Sequence, residues 1–222
     1  MVYEISDKKR VFLESLALTL MILIIGFSIG FSIEFNRTNN IIDSYTYNEI
    51  EALDLKLQNY YYQIMDGQDC NSAIEQNFIF ADNLYIKGLD IEKYVESNQL
   101  TDDIVREQKR YSLLKTELWL NSILLKNKCR EPFDTVVYMF SHDPDSSYIV
   151  NKQKVISNVL KSVKEKKGNN IILIPLAGDM DLGIVDLQKK IYNITELPSI
   201  IINEKTILSG YNSENEILKY LK

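Results

Sequence analysis

The residues with the most chemical potential form a short polar run, Ser141-His142-Asp143-Pro144-Asp145-Ser146-Ser147. It holds hydroxyls, carboxylates and His142, the one histidine in the chain. A Ser-His-Asp hydrolase needs a base bonded to its nucleophile and oriented by a third group, which contiguous residues of one loop seldom achieve. That chemistry is rejected. With Asp179 and Asp181, His142 and the two acids of the run could also be drawn as a metal or acid–base cluster. Only Asp143 and Asp145 are close in sequence, and carboxylates at loop and helix-start positions usually cap helices or stabilise turns. Capping is therefore the favoured role, with no metal and no cofactor expected.

The second reactive set is Cys70 and Cys129, 59 positions apart. Zinc would need four nearby ligands, and one histidine with two distant thiols supplies no such set. In an oxidising compartment the two are expected to pair. Closing a loop of that length contributes on the order of 4 kcal/mol by chain entropy. Two free buried thiols, or a redox-active pair, are the competing states.

These residues sit in a chain of 222 residues, 45% of them apolar, which is enough for one or two small domains with real cores. Its 31 acidic and 25 basic side chains give a net charge of −6. Phosphate binding needs clustered cations, so a nucleic-acid surface is not expected.

The one basic cluster, Lys8-Lys9-Arg10, precedes residues 15–33, the longest run without charge. At about 1.5 Å per residue, roughly 20 helical residues cross a bilayer core about 30 Å thick. A cleaved signal peptide competes with this, but its apolar region is usually about 7–15 residues. A signal anchor is favoured. Only Arg37 follows closely, so the positive-inside rule puts a 1–14 tail in the cytoplasm and the remainder outside. Gly26 and Gly30 form a GxxxG pattern, offering a homodimer contact between two such helices, although glycine is common in membrane helices for other reasons.

Residues 34–130 read as a small all-α domain. Ile50, Leu53, Leu57, Tyr61 and Ile64 fall at steps of three and four, predicting one buried stripe before a stop at Asp66-Gly67. A second helix is expected over 71–87, with Gly88 as a left-handed cap. A third begins near Thr101 with Asp102 and Asp103 in its first turn, and buries Ile104, Tyr111, Leu114, Leu118 and Leu125. Tyr60, Tyr61, Tyr62 and Trp119 are expected as core and rim aromatics.

Glu131-Pro132 marks a boundary, because the residue before proline avoids helical dihedrals. Across 131–222 the elements run βαβαββα: a strand at 135–140, and a helix at 149–167 with Val155, Ile156, Val159, Leu160 and Val163 inward. An apolar strand follows at 171–176, then a helix at 182–192 resting on Ile184, Leu187 and Ile191, and a hairpin at 199–209. A last helix, capped by Ser213 with Glu216, turns Ile217, Leu218 and Leu221 to the sheet.

Within this stretch Tyr192 and Ile194 precede Pro198, a hairpin follows, and then Gly210 and a final helix. That order resembles the second half of the thioredoxin fold. The resemblance implies an α/β thioredoxin-like C-terminal domain over 131–222, with a cis Leu197-Pro198 bond whose backbone pairs with an extended peptide. It would place the redox dithiol near Pro144 and Ser147, where this chain has no cysteine, and the family's buried acid near Tyr138. Thiol exchange at that loop is thus lost, since a serine has no comparable thiolate. What remains is a binding groove of His142, Asp143, Pro144, Ser147, Leu197 and Pro198.

Two functions of different class follow. One is a membrane-anchored module that binds an extracytoplasmic protein or peptide as a chaperone, assembly factor or receptor. The other is a thiol–disulfide oxidoreductase using Cys70 and Cys129 beside Pro198. A partner docking instead on the helical segment around residues 60–62 is the alternative to the groove.

Overall fold

The computed structural model describes residues 7–64, 69–96, 102–130 and 133–222. The Asp66-Gly67 stop and the Glu131-Pro132 boundary lie outside them. The chain divides into two compact units, Met1–Ile50 and Glu51–Lys222. Helix α1 (Asp7–Ile64) supplies all of the first unit that is described.

In that unit Arg10–Ile33 is long and apolar enough to cross a membrane. Its 24 residues make about 36 Å of helix. Phe12, Leu16, Leu20, Leu23, Phe27 and Phe31 are exposed around it, as in a helix whose surroundings are apolar on every side. Two of its hydroxyls bond back to the helix: Thr19 Oγ1 donates to the Ser15 carbonyl and Ser28 Oγ to the Ile24 carbonyl, both at 2.8 Å.

The second unit adds α2 (Cys70–Glu96), α3 (Asp102–Lys128), β1 (Asp134–Phe140), α4 (Ser147–Lys167), β2 (Ile171–Ala177), α5 (Gly183–Ile191), β3 (Ser199–Ile202), β4 (Thr206–Ser209) and α6 (Glu214–Leu218). The sheet is mixed, in the order β2-β1-β3-β4. β1 pairs in parallel with β2, from Asp134 opposite Ile171 to Phe140 opposite Ala177, and antiparallel with β3, Met139 lying opposite Ser199. Both central strands are buried on both faces, which is why TVVYMF and SIII are apolar without alternation.

On one face Val136, Tyr138, Ile200 and Ile202 meet Ile156, Leu160 and Val163 of α4 and Ile217 of α6. On the other, Val137, Met139, Ile172, Ile174 and Ile201 share a core with Val185 of α5, Leu118 and Trp119 of α3, Leu84 of α2 and Leu55 of α1. The helical segment and the sheet thus bury one continuous apolar surface. Trp119, fully buried, stacks on Tyr192 at 5.2 Å between ring centroids.

Where α3 meets the hairpin, burial of a cation is offset by hydrogen bonds. Lys126 Nζ donates to Thr135 Oγ1 (3.0 Å), Asn203 Oδ1 (2.7 Å) and Glu204 Oε2 (2.9 Å). Glu204 also accepts from Trp119 Nε1 at 2.9 Å. In the three-residue connection between Ile202 and Thr206, the turn centred on Asn203-Glu204 has φ of 52° and 56°, left-handed at both positions, in keeping with the strand twist.

Several expected faces and ends differ. Gly88 does not cap a helix; it lies inside α2, under the Tyr111 ring. The α1 stripe is displaced: Leu55 and Tyr62 are buried, whereas Leu53, Leu57 and Tyr61 are exposed. Ala52 and Asn59 lie on the buried side, so a small and a polar residue mark the face that meets the core. In α5 the core residues are Val185 and Gln188, with Leu187 and Ile191 outside. Val155 of α4 also points outward. The α3 face is as expected, and the Ser213–Glu216 capping box forms.

Candidate binding groove

The register fixes where the loops go. β1 and β2 end together at Phe140 and Ala177, and antiparallel β3 begins opposite Met139, so the 141–147, 178–182 and 192–198 segments leave one end of the sheet. This is the carboxyl end of the parallel pair, where open α/β sheets commonly take ligands.

Asp179 ties two of these loops. The Gly178 N–H donates to the Phe140 carbonyl (2.8 Å), which sets Asp179 against the start of the polar run. Its carboxylate accepts from Ser141 Oγ at 2.5 Å and from the His142 N–H at 2.7 Å. Partial burial pushes its pKa up, but the hydrogen bonds from Ser141 and from the His142 and Asp143 N–H groups outweigh this and hold it below the ordinary value. Gln153 of α4 braces the loop from behind, accepting from the Ser141 N–H (2.7 Å) and donating to its carbonyl (3.1 Å). Ser146 caps α4, accepting from the Ile149 N–H.

The third loop ends in a cis Leu197-Pro198 peptide, the isomer the resemblance implies. The Leu197 side chain packs on Gly178, where a Cβ would come within 2.9 Å of Leu197 Cδ1. Ser199 Oγ donates to the Glu196 carbonyl (2.7 Å), and the Gly210 N–H donates to the Pro198 carbonyl (3.3 Å). Gly210 has φ 73°, a left-handed conformation that favours glycine. The Leu197 main chain, by contrast, hydrogen-bonds to no other described residue.

Of the residues picked out by sequence, His142 and Asp143 are exposed beside Asp179, and Leu197 reaches the same loop through Gly178. Pro144 is half-buried and Ser147 opens α4, exposed. Pro198 is buried behind Leu197. Sequence reasoning missed Gly178 and Gln153. A glycine just past a strand was the available signal for the first, while Gln153 carried none. Asp179 does cap, but across loops rather than along a helix. Asp181, exposed with φ 53°, takes no part.

Cys70 and Cys129 form a disulfide, with Cα atoms 5.7 Å apart. Cys129 follows Lys126, which bonds Thr135 at the start of β1, so the bridge lies toward the opposite end of the sheet from Pro198. Among the described residues no group of three or more His, Cys, Asp or Glu side chains is placed to hold a metal ion.

No protein-family model matches the chain. No curated protein matches it. Among solved structures it is similar to one described as "Structure of a malarial protein", at 18% identity and a TM-score of 0.30, covering 40% of this chain and 92% of that one. A TM-score that low assigns no shared fold.

Proposed function

We propose that this protein is a membrane-anchored, extracytoplasmic, thioredoxin-like module without redox cysteines that binds an extended segment of a partner protein. The observation that carries the proposal is the Leu197 main chain. It has no hydrogen-bonding partner among the described residues and borders Gly178, which presents no side chain. An extended peptide can pair with such a backbone by strand addition. The thioredoxin-like reading draws support from the β2-β1-β3-β4 order and from α4 and α6 covering one face while α5 covers the other. In this reading Leu197 gives backbone contacts, Pro198 fixes them, and His142 and Asp143 border the peptide. Pro144 and Ser147 line the far side.

With no cysteine in the 141–147 loop, capture is reversible and weak. Tethering both partners to one membrane raises their effective concentration and compensates. The anchor is the Arg10–Ile33 segment, with Lys8, Lys9 and Arg10 holding the N-terminus in the cytoplasm. A disulfide in the second unit fits an oxidising compartment. This role suits a chaperone, assembly factor or receptor.

The test is proximity labelling in the native cell with the full-length chain and a His142→Glu/Leu197→Arg variant. The variant is expected to lose labelled partners while remaining folded. Unchanged labelling by a folded variant rules the groove out and moves docking to the helices. Protease added to intact cells should digest residues beyond the span; their protection would reverse the orientation. Thiol exchange by Cys70 and Cys129, the alternative, predicts a reduction potential near the compartment's poise rather than far below it.

A further inference from the structure

Asn193-Ile194-Thr195 is an N-x-T tripeptide, the acceptor sequence for N-linked glycosylation. Such a tripeptide arises readily by chance in a chain rich in asparagine, so the letters alone carry little. The way the fold holds these residues carries more. Helix α5 ends with the Tyr192 N–H donating to the Gln188 carbonyl (2.9 Å) and the Ile194 N–H to the Lys189 carbonyl (2.8 Å), and Asn193 turns the chain out of the helix with φ 51°. Ile194 is half-buried and packs against the core cluster that holds Val185 and Trp119. Asn193 and Thr195, on either side of it, are exposed. The tripeptide is thus fixed by its middle residue, while the two side chains that a transferase must reach lie at the surface.

A left-handed turn suits asparagine for its own sake, which is the plainer account of Asn193. Asn203 shows what that role looks like in this protein. It too is left-handed, with φ 52°, but its carboxamide is used internally: Nδ2 donates to Asp134 Oδ1 (2.8 Å), and Oδ1 accepts from Lys126 Nζ (2.7 Å) and from the Thr135 N–H (3.0 Å). The Asn193 carboxamide and the Thr195 hydroxyl, by contrast, hydrogen-bond to no other described residue. A turn asparagine also requires nothing of the residue two places on. An idle carboxamide followed at that spacing by an idle hydroxyl, both exposed, is what an acceptor site needs and a turn does not.

We propose that Asn193 carries an N-linked oligosaccharide. The proposal rests on the extracytoplasmic placement given above, because the donor, an oligosaccharide linked to a lipid phosphate, is used on that side of the membrane. Transfer forms a bond between Asn193 Nδ2 and the anomeric carbon of the first sugar and breaks that carbon's bond to the phosphate oxygen. The lipid phosphate leaves, the amide nitrogen gives up one proton, and nothing is oxidised or reduced. The site is compatible with the groove. Tyr192 stacks on Trp119, whose Nε1 donates to Glu204 in the hairpin turn, so the 192–198 segment starts beside that turn and reaches the groove only where Leu197 packs on Gly178. The other N-x-T tripeptide, Asn36-Arg37-Thr38, lies within helix α1 rather than in a loop and serves as a control.

The test is mass spectrometry of the full-length chain purified from its native cell. Trypsin releases residues 191–205 as one peptide, since Lys190 and Lys205 bound it. That peptide is expected to carry a sugar mass increment on Asn193. Asn193→Gly, which keeps the turn because glycine adopts positive φ freely, and Thr195→Ala at an exposed position should each remove the increment. Thr195→Ser and Asn36→Gln should retain it. A bare wild-type peptide, or an increment that survives Thr195→Ala, would overturn the proposal. Protease added to intact cells separates the two ways a bare peptide could arise. Digestion beyond the span leaves the extracytoplasmic reading standing and removes only the glycan, whereas protection removes both.

Discussion

The Tyr111 hydroxyl occupies the space where a side chain at Gly88 would begin. It donates to the Leu84 carbonyl at 2.8 Å, and a Cβ built on Gly88 would stand 2.1 Å from the hydroxyl oxygen and 2.9 Å from Cζ. Glycine thus stays within a helix at a propensity cost of about 1 kcal/mol because α2 and α3 need the room. Gly88→Ala should destabilise the fold by about 1–3 kcal/mol despite its better helix propensity. Tyr111→Phe should recover part of that loss, since it removes the nearest atom. Urea unfolding of the single and double variants checks both effects, and additive losses would argue against the contact.

The Lys126 cluster predicts an asymmetric pair of variants. The Lys126 and Glu204 side chains are 6% and 17% exposed. Glu204→Ala leaves the buried ammonium with Thr135 Oγ1 and Asn203 Oδ1 but no counter-charge, and also takes an acceptor from Trp119, so it should cost about 3 kcal/mol or more. Lys126→Met should cost less, because Glu204 keeps Trp119 Nε1 and Thr135 Oγ1 as donors. In a double-mutant cycle the combined loss should fall below the sum of the two.

Removing the Cys70–Cys129 bridge by serine substitution at both positions should lower stability by about 2–4 kcal/mol. The measurement is a denaturant midpoint with and without reductant. Reductant should shift the wild type and leave the double variant unmoved.

Asp179 sets a pH dependence for the loop that opens at Ser141 and His142. Its folded pKa lies below the ordinary aspartate value of about 3.9, so its hydrogen bonds contribute stability above that value. The contribution is lost as pH falls through the lower folded pKa. Ser141 and His142 amide resonances should therefore shift only at acid pH, below the usual aspartate range, and Asp179→Asn should abolish the transition. A midpoint at or above that range would contradict the assignment.

Sequence alone determined what depends on neighbours along the chain. The uncharged run at 15–33 is long and apolar enough to cross a membrane, a property of consecutive residues alone. Pro198, the Asn203-Glu204 turn, Gly210 and the Ser213–Glu216 box each act over a few residues, and so the hairpin and last helix were legible. Two thiols as the chain's only pair favour a bridge without excluding free thiols, and the structure joins them. Tertiary structure decided which side of each helix is inside. An apolar stripe at helical spacing can be drawn on α1 through Leu53 and Leu57 or through Leu55 and Tyr62, and periodicity gives no preference between them. Packing chose the second: Ala52 lies against the core cluster, and Asn59 meets Asn121 of α3. Gly88 shows the same limit: its lack of a side chain is visible in sequence, but Tyr111, which needs that gap, comes from another helix. The groove likewise depends on Asp179 and Gly178 reaching Ser141 and Leu197 across loops, contacts that the register of β1 with β2 and β3 brings into being.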